Sequence, residues 1–129
     1  MKTSLHLGEH LIFDLSGCNR EILFDSERSY NLFSSAVRDS GLTVIDEGFY
    51  KFSPHGFTCF LLLSESHASV HAWPEHGYLA IDLFTCNLGK DLTPLLERLK
   101  ADFGAASYHL HDLDRYAQVE HSVPASVHG

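Results

Sequence analysis

From His67 to Trp73, small or apolar residues (Ala68, Val70, Ala72) alternate with polar or aromatic ones (His67, Ser69, His71, Trp73), the period-two pattern of a strand buried on one face. Pro74 to Gly77 reads as a turn. The alternation resumes at Tyr78, with Leu79, Ile81 and Leu83 facing one way and Tyr78, Ala80, Asp82, Phe84 and Cys86 the other. If Pro74 to Gly77 form the loop of an antiparallel hairpin, Trp73 pairs with Tyr78, His71 with Ala80, Ser69 with Asp82 and His67 with Phe84. His67, His71, Trp73 and Cys86 then share a face, and Cys86 lands beside the Glu65–Ser66 bond. A slip of one residue would send Cys86 to the opposite face.

The rest of the chain supplies a sheet and two helices. Leu5 to Leu15, around Leu11-Ile12-Phe13, reads as a first strand that ends at Ser16-Gly17. A helix follows, with Ser26 as N-cap, Tyr30, Phe33 and Val37 on one face and Gly41 at the left-handed C-terminal position. Leu42 to Phe52 is a strand, Ser53 to Gly56 a turn, and Phe57 to Leu63 a nearly all-apolar strand suited to the middle of a sheet. A second helix starts at Thr93 as N-cap with Pro94 first inside, buries Leu95, Leu96, Leu99 and Phe103, and stops at Gly104. Ala106 to Leu113 returns as a strand, and from about Asp114 to Gly129 the absence of periodicity predicts a loose tail. The sum is an α+β fold: a two-layer αβ sandwich with a mainly antiparallel sheet and two helices on one face, in one domain spanning 1–129.

Composition narrows the partners. A formal net charge of −8 and a pI near 5.6 argue against nucleic acid and against an anionic membrane surface, both of which need a basic face. The three cysteines, Cys18, Cys59 and Cys86, show no CxxC spacing and no framework of pairs, which favours a reducing compartment. No leader-like segment and no span of membrane length is present, so the expected location is cytoplasmic. No metal is expected either. His67 and His71 have helical ligand spacing but stand about 13 Å apart on a strand.

Three segments carry a more specific signal: Glu65-Ser66-His67, then His71-x-Trp73-Pro74-Glu75-x-Gly77-Tyr78, then Asp82-x-Phe84-Thr85-Cys86. In order and spacing they resemble the pyruvoyl-dependent S-adenosylmethionine decarboxylases of the short prokaryotic type. Gly8-Glu9-His10-Leu11, Asp14, Gly17-Cys18-Asn19 and Lys51-Phe52-Ser53-Pro54 look like further landmarks of that family, so the resemblance covers residues 6 to about 113. It implies a proenzyme that cuts itself between Glu65 and Ser66, giving chains 1–65 and 66–129, with Ser66 converted to a covalent pyruvoyl cofactor that accepts electrons much as pyridoxal phosphate does. It implies that His71 takes the proton driving elimination, that Thr58 stands where a serine commonly assists processing, and that Cys86 protonates the α-carbon after decarboxylation. Phe52 and Trp73 match positions associated with adenine, and Glu75 the acid that binds ribose hydroxyls. The product would be the aminopropyl donor of spermidine synthesis.

One tension lies in the spacing: Ser66 and His71 are an odd number of residues apart, so Ser66 must sit on a bend or strand end. Ala68 and Ala72 are smaller than the residues the family pattern leads one to expect. Beside S-adenosylmethionine decarboxylase, two readings therefore stay open: a pyruvoyl decarboxylase of the same fold acting on arginine or ornithine, and an inactive homologue that binds a partner. A sheet with helices on one face leaves apolar strand surface to bury, and the resemblance implies the corresponding assembly, a homodimer with two of each cleaved chain and sites near the interface.

Overall fold

In the computed structural model, residues 2–120 are described. Six strands form one antiparallel sheet in the order β2-β3-β4-β5-β1-β6: β1 Lys2–Ser16, β2 Val44–Lys51, β3 Phe57–Leu63, β4 Ser66–Trp73, β5 Tyr78–Thr85 and β6 Ser107–Glu120. Three helices, α1 Arg20–Phe24, α2 Ser26–Asp39 and α3 Thr93–Asp102, accompany it. Alternation along the strands sorts the side chains. Phe13 and Leu15, Leu79 and Ile81, Ala68 and Val70, and Phe57, Cys59 and Leu61 turn inward and meet Leu23, Phe33, Val37, Leu99 and Phe103 of the helical layer. Each large side chain buried there contributes about 1.5–3 kcal/mol. Among the described residues no helix lies on the opposite face of the sheet: Phe60 and Leu62 remain 46% and 41% exposed on it.

The β4–β5 hairpin has the predicted register, with Trp73 opposite Tyr78, His71 opposite Ala80, Ser69 opposite Asp82 and His67 opposite Phe84. Its loop is a single 3-10 turn, Pro74–His76, closed by Gly77 at φ 61°. Gly17-Cys18-Asn19 proves to be a structural landmark. Cys18 N–H donates to the Gly77 carbonyl at 2.9 Å, Asn19 N–H donates to Phe103 O at 2.8 Å, and the Asn19 side chain caps α1 through Ile22 N–H. The end of β1 is thereby tied to both the hairpin and α3.

Several expectations need correction. The described residues hold three helices where two were expected, because the short α1 has too few residues for a 3.6-residue period to register. The cap of α2 is Asp25, whose Oδ1 accepts from Arg28 N–H at 3.1 Å, while Ser26 is buried inside the first turn. Thr93 is the first residue of α3 and not its cap; its N–H donates to Asp91 Oδ1 at 3.0 Å. The first strand begins at Lys2, ahead of Leu5. β6 continues through Glu120, paired with Lys2, so residues 114–120 are strand where a loose tail was expected; residues 121–129 lie outside the described residues.

Candidate active site

Leu63 pairs with Ser66, which leaves Ser64 and Glu65 as a two-residue turn between β3 and β4. Ser66 opens β4 with φ 148°, a region that glycine enters freely and other residues enter at a cost of about 1–3 kcal/mol. The bend required by the sequence spacing therefore falls on Ser66 itself. Both flanks of the turn are tied down. Towards β2, Ser64 N–H donates to Thr43 O at 3.0 Å, while Thr43 N–H and Ser64 Oγ donate to Glu65 Oε1 at 3.2 and 3.0 Å. Slight burial pushes the Glu65 carboxyl up, but these donors, with the charge of Lys90, outweigh it and hold the group below the usual carboxylate value.

Towards β5, the Glu65 carbonyl oxygen accepts from Cys86 N–H at 2.8 Å and from Cys86 Sγ at 3.1 Å. Two donors on one carbonyl oxygen polarise its carbon and face the negative charge that would grow on the oxygen during attack. The next residue, Ser66, carries a hydroxyl. Burial pushes the thiols of Cys18 and Cys59 up to about 11 and about 12, which suits them to packing, whereas Cys86 is exposed.

A second group gathers at the other end of β4. Thr58 and His71 are cross-strand partners, with Thr58 Oγ1 2.8 Å from His71 Nδ1. The His71 and Trp73 rings lie 6.3 Å apart, and the Trp73 and Tyr78 rings meet at a tilt of 33° with centroids 5.4 Å apart. Phe52, Thr58, His71, Trp73 and Glu75 line one cavity of about 320 Å³, together with His55, a residue that sequence reasoning passed over. The signal for His55 was the register: extending the Phe57–Ala72 rung outward brings residue 55 to the Pro74-Glu75 turn. A larger hollow of about 480 Å³ between α2 and β2, lined by Glu27, Tyr30, Glu47 and Phe49, contains none of the predicted residues. Its carboxylates are paired, Glu47 with Arg38 and Glu27 with Lys51.

Within one chain the two groups do not meet. Ser66 and His71 are five residues apart on β4, about 16 Å at strand rise, and Trp73 stands about 23 Å from Ser66. Glu65, Ser66 and Cys86 thus form one cluster, and Phe52, Thr58, His71, Trp73 and Glu75 another. Ala68 is fully buried on the helical face and Ala72 nearly so, which makes them core residues, with only Ala72 reaching the cavity wall.

A family model described as S-adenosylmethionine decarboxylase matches residues 9–116. The S-adenosylmethionine decarboxylase proenzyme of Thermotoga maritima is 38% identical over 117 residues, 88% of each chain. That of Thermosipho melanesiensis is 41% identical over 88 residues, 68% of this chain and 66% of the relative. The crystal structure of the adenosylmethionine decarboxylase from Aquifex aeolicus superposes with a TM-score of 0.80 at 30% identity, covering 92% of this chain and 98% of the other. Sequence and fold agree over most of its length, and the chain belongs to the S-adenosylmethionine decarboxylase family.

Proposed function

We propose that this chain is the proenzyme of an S-adenosylmethionine decarboxylase, that it cuts itself between Glu65 and Ser66 to form a pyruvoyl group from Ser66, and that each working site is shared between two copies. The observation that carries the reading is the pair of donors from Cys86 on the Glu65 carbonyl, next to a Ser66 held at φ 148°. Ser66 Oγ attacks that carbonyl carbon, the peptide C–N bond breaks as the hydroxyl proton passes to the nitrogen, and an ester joins Glu65 to Ser66. Removal of the Ser66 α-proton expels the Glu65 carboxylate. Water then adds to the dehydroalanine left behind and ammonia departs, leaving the pyruvoyl group.

His71 suits the proton removal because Thr58 on Nδ1 orients the ring and leaves Nε2 for the proton. About 16 Å of strand separates it from its own Ser66, so the base comes from the second copy. The helix-free face bearing His71, Phe60 and Leu62 is the surface on which the copies meet. A homodimer, counted after cleavage as two of each chain, then holds two equivalent sites.

The pyruvoyl group supplies an electrophilic carbonyl for the substrate amine and a conjugated sink for the electrons left when carbon dioxide departs. Cys86 holds a thiol proton beside residue 66 for the carbon that must be reprotonated. Phe52 and Trp73 offer π-faces to adenine and Glu75 a carboxylate to the ribose hydroxyls, supporting S-adenosylmethionine over arginine or ornithine and a product that donates aminopropyl groups to spermidine synthesis. No helix among the described residues is long and apolar enough to cross a membrane.

The test is the intact mass of the purified protein, followed by release of labelled carbon dioxide from carboxyl-labelled S-adenosylmethionine, arginine and ornithine in parallel. Two chains starting at residues 1 and 66, with kcat/KM highest for S-adenosylmethionine, are expected. A single uncleaved chain would overturn the cofactor assignment, and a preference for either amino acid would overturn the substrate.

A further inference from the structure

We propose that His55 is a positioning residue for substrate recognition: its ring donates to one oxygen of Glu75 and thereby aims the other at the ribose hydroxyls. The inference rests on the reading of Glu75 given above and adds a residue to it. His55 Nε2 and Glu75 Oε2 are in contact across the cavity mouth, and the two side chains are 33% and 36% exposed. An ionised carboxylate only accepts hydrogen bonds, so Nε2 carries the hydrogen in this pair.

The ring is held from behind. Phe24, the last residue of α1, meets His55 edge-on, with centroids 5.4 Å apart and planes at 74°. The loop that presents it is closed by Phe52 N–H donating to the Gly56 carbonyl at 2.9 Å, and Gly56 sits at φ 94°. A β-carbon at Gly56 would press on the Ala72 carbonyl at 3.1 Å, so loop and hairpin are closely fitted. His55 therefore approaches Glu75 from a fixed direction.

The choice of histidine has a physical consequence. A carboxylate has about four lone-pair sites, and a single ring donor occupies one of them, leaving Oε1 wholly free for a diol. An arginine at position 55 would take both oxygens in its fork and compete with the sugar. A glutamate side chain without any partner would have to give up rotamer freedom on binding, a cost that prior fixing removes. Because the contact is made equally to bound substrate and to the transition state, its loss should raise KM and leave kcat nearly unchanged.

Trp73 is the sole tryptophan and lines the same cavity, so its fluorescence reports binding directly. The processed wild-type protein and the variants His55→Phe, His55→Gln, Glu75→Ala and the double variant His55→Phe/Glu75→Ala are titrated with adenosine and with adenine. His55→Phe keeps the packing on Phe24 and loses the donor, and His55→Gln keeps a donor. The proposal expects His55→Phe to weaken adenosine binding about tenfold, with adenine unchanged, and to raise KM for S-adenosylmethionine at constant kcat. His55→Gln should recover most of the loss, and His55→Phe should add nothing in the Glu75→Ala background. If Glu75→Ala weakens adenosine and His55→Phe does not, the proposal is overturned while the ribose reading stands. If Glu75→Ala leaves adenosine binding unchanged, the ribose reading fails and takes the proposal with it. Equal loss of adenosine and adenine in His55→Phe, with a lowered melting temperature, would make His55 a packing residue and also overturns the proposal.

Discussion

At position 66, serine and glycine differ by the cost of a β-carbon at φ 148°, so the strain beside the Glu65–Ser66 bond can be weighed. Ser66→Ala and Ser66→Gly both lack the hydroxyl and both should remain single chains. The glycine variant should be the more stable by about 1–2 kcal/mol in denaturant unfolding, net of its greater unfolded-state entropy. Equal stability, or a more stable alanine variant, would mean that the turn holds Ser66 without strain. At Cys86 the backbone N–H and the thiol separate cleanly, since Cys86→Ala keeps the first donor and loses the second. Cleavage should persist but slow about tenfold, less than for a strong oxyanion donor because a thiol donates weakly. Turnover after cleavage should fall further, because nothing replaces the thiol proton. Normal turnover by Cys86→Ala, measured as carbon dioxide release per cleaved chain, would remove Cys86 from the chemistry.

At the scale of elements, the β4–β5 hairpin is legible because one of its faces is buried. Ala68, Val70 and Ala72 against Leu79, Ile81 and Leu83 admit one register, and that register alone puts Cys86 beside Glu65. The far half of β6 is not legible for the converse reason. Leu113 and Tyr116 are exposed, no helix covers residues 113–120, and no alternation survives in the sequence to mark them as strand. Helix starts are misread where neighbouring residues can all cap, as Asp25 and Ser26 can, since only the three-dimensional path decides which oxygen reaches the free N–H. The pairing of β6 with β1 also creates a charge cluster that neither segment announces: Glu9, Asp112 and Asp114 bring their carboxylates within 4.8 Å of one another. Burial, followed by the charge of Asp112 and a hydrogen bond to it, raises the Glu9 carboxyl above its ordinary value. A carboxyl raised on folding contributes stability below its unfolded pKa and loses it as the pH rises through the folded value. Asp112→Asn should therefore raise the melting temperature at pH 7 and raise it less at about pH 3, because Glu9 takes up its proton as the pH falls. A gain of the same size at both pH values would contradict this electrostatic origin.

At the scale of the whole molecule, the sequence names nearly every candidate residue but does not sort them into the two groups that one chain holds apart. Its motif is continuous from Glu65 to Cys86, which invites a single site, whereas strand geometry carries Ser66 and His71 to opposite ends of β4. The strand rise that sets His67 and His71 about 13 Å apart applies equally to Ser66 and His71, so the division is within reach of the sequence and is masked there by the continuity of the motif. Under the proposed dimer, the uncovered face of the sheet is the place where two half-sites would be completed. The most direct measurement is complementation between two defective chains, Ser66→Ala and His71→Ala, co-expressed with different affinity tags and purified through both in succession. Each variant alone should be inactive, Ser66→Ala uncleaved and His71→Ala arrested in processing. Doubly tagged dimers contain one site with both Ser66 and His71 intact, so they should show a cleaved His71→Ala chain and about half of wild-type decarboxylation per dimer. Mixed dimers that form but neither cleave nor release carbon dioxide would place both residues in the same chain's site and contradict the shared site.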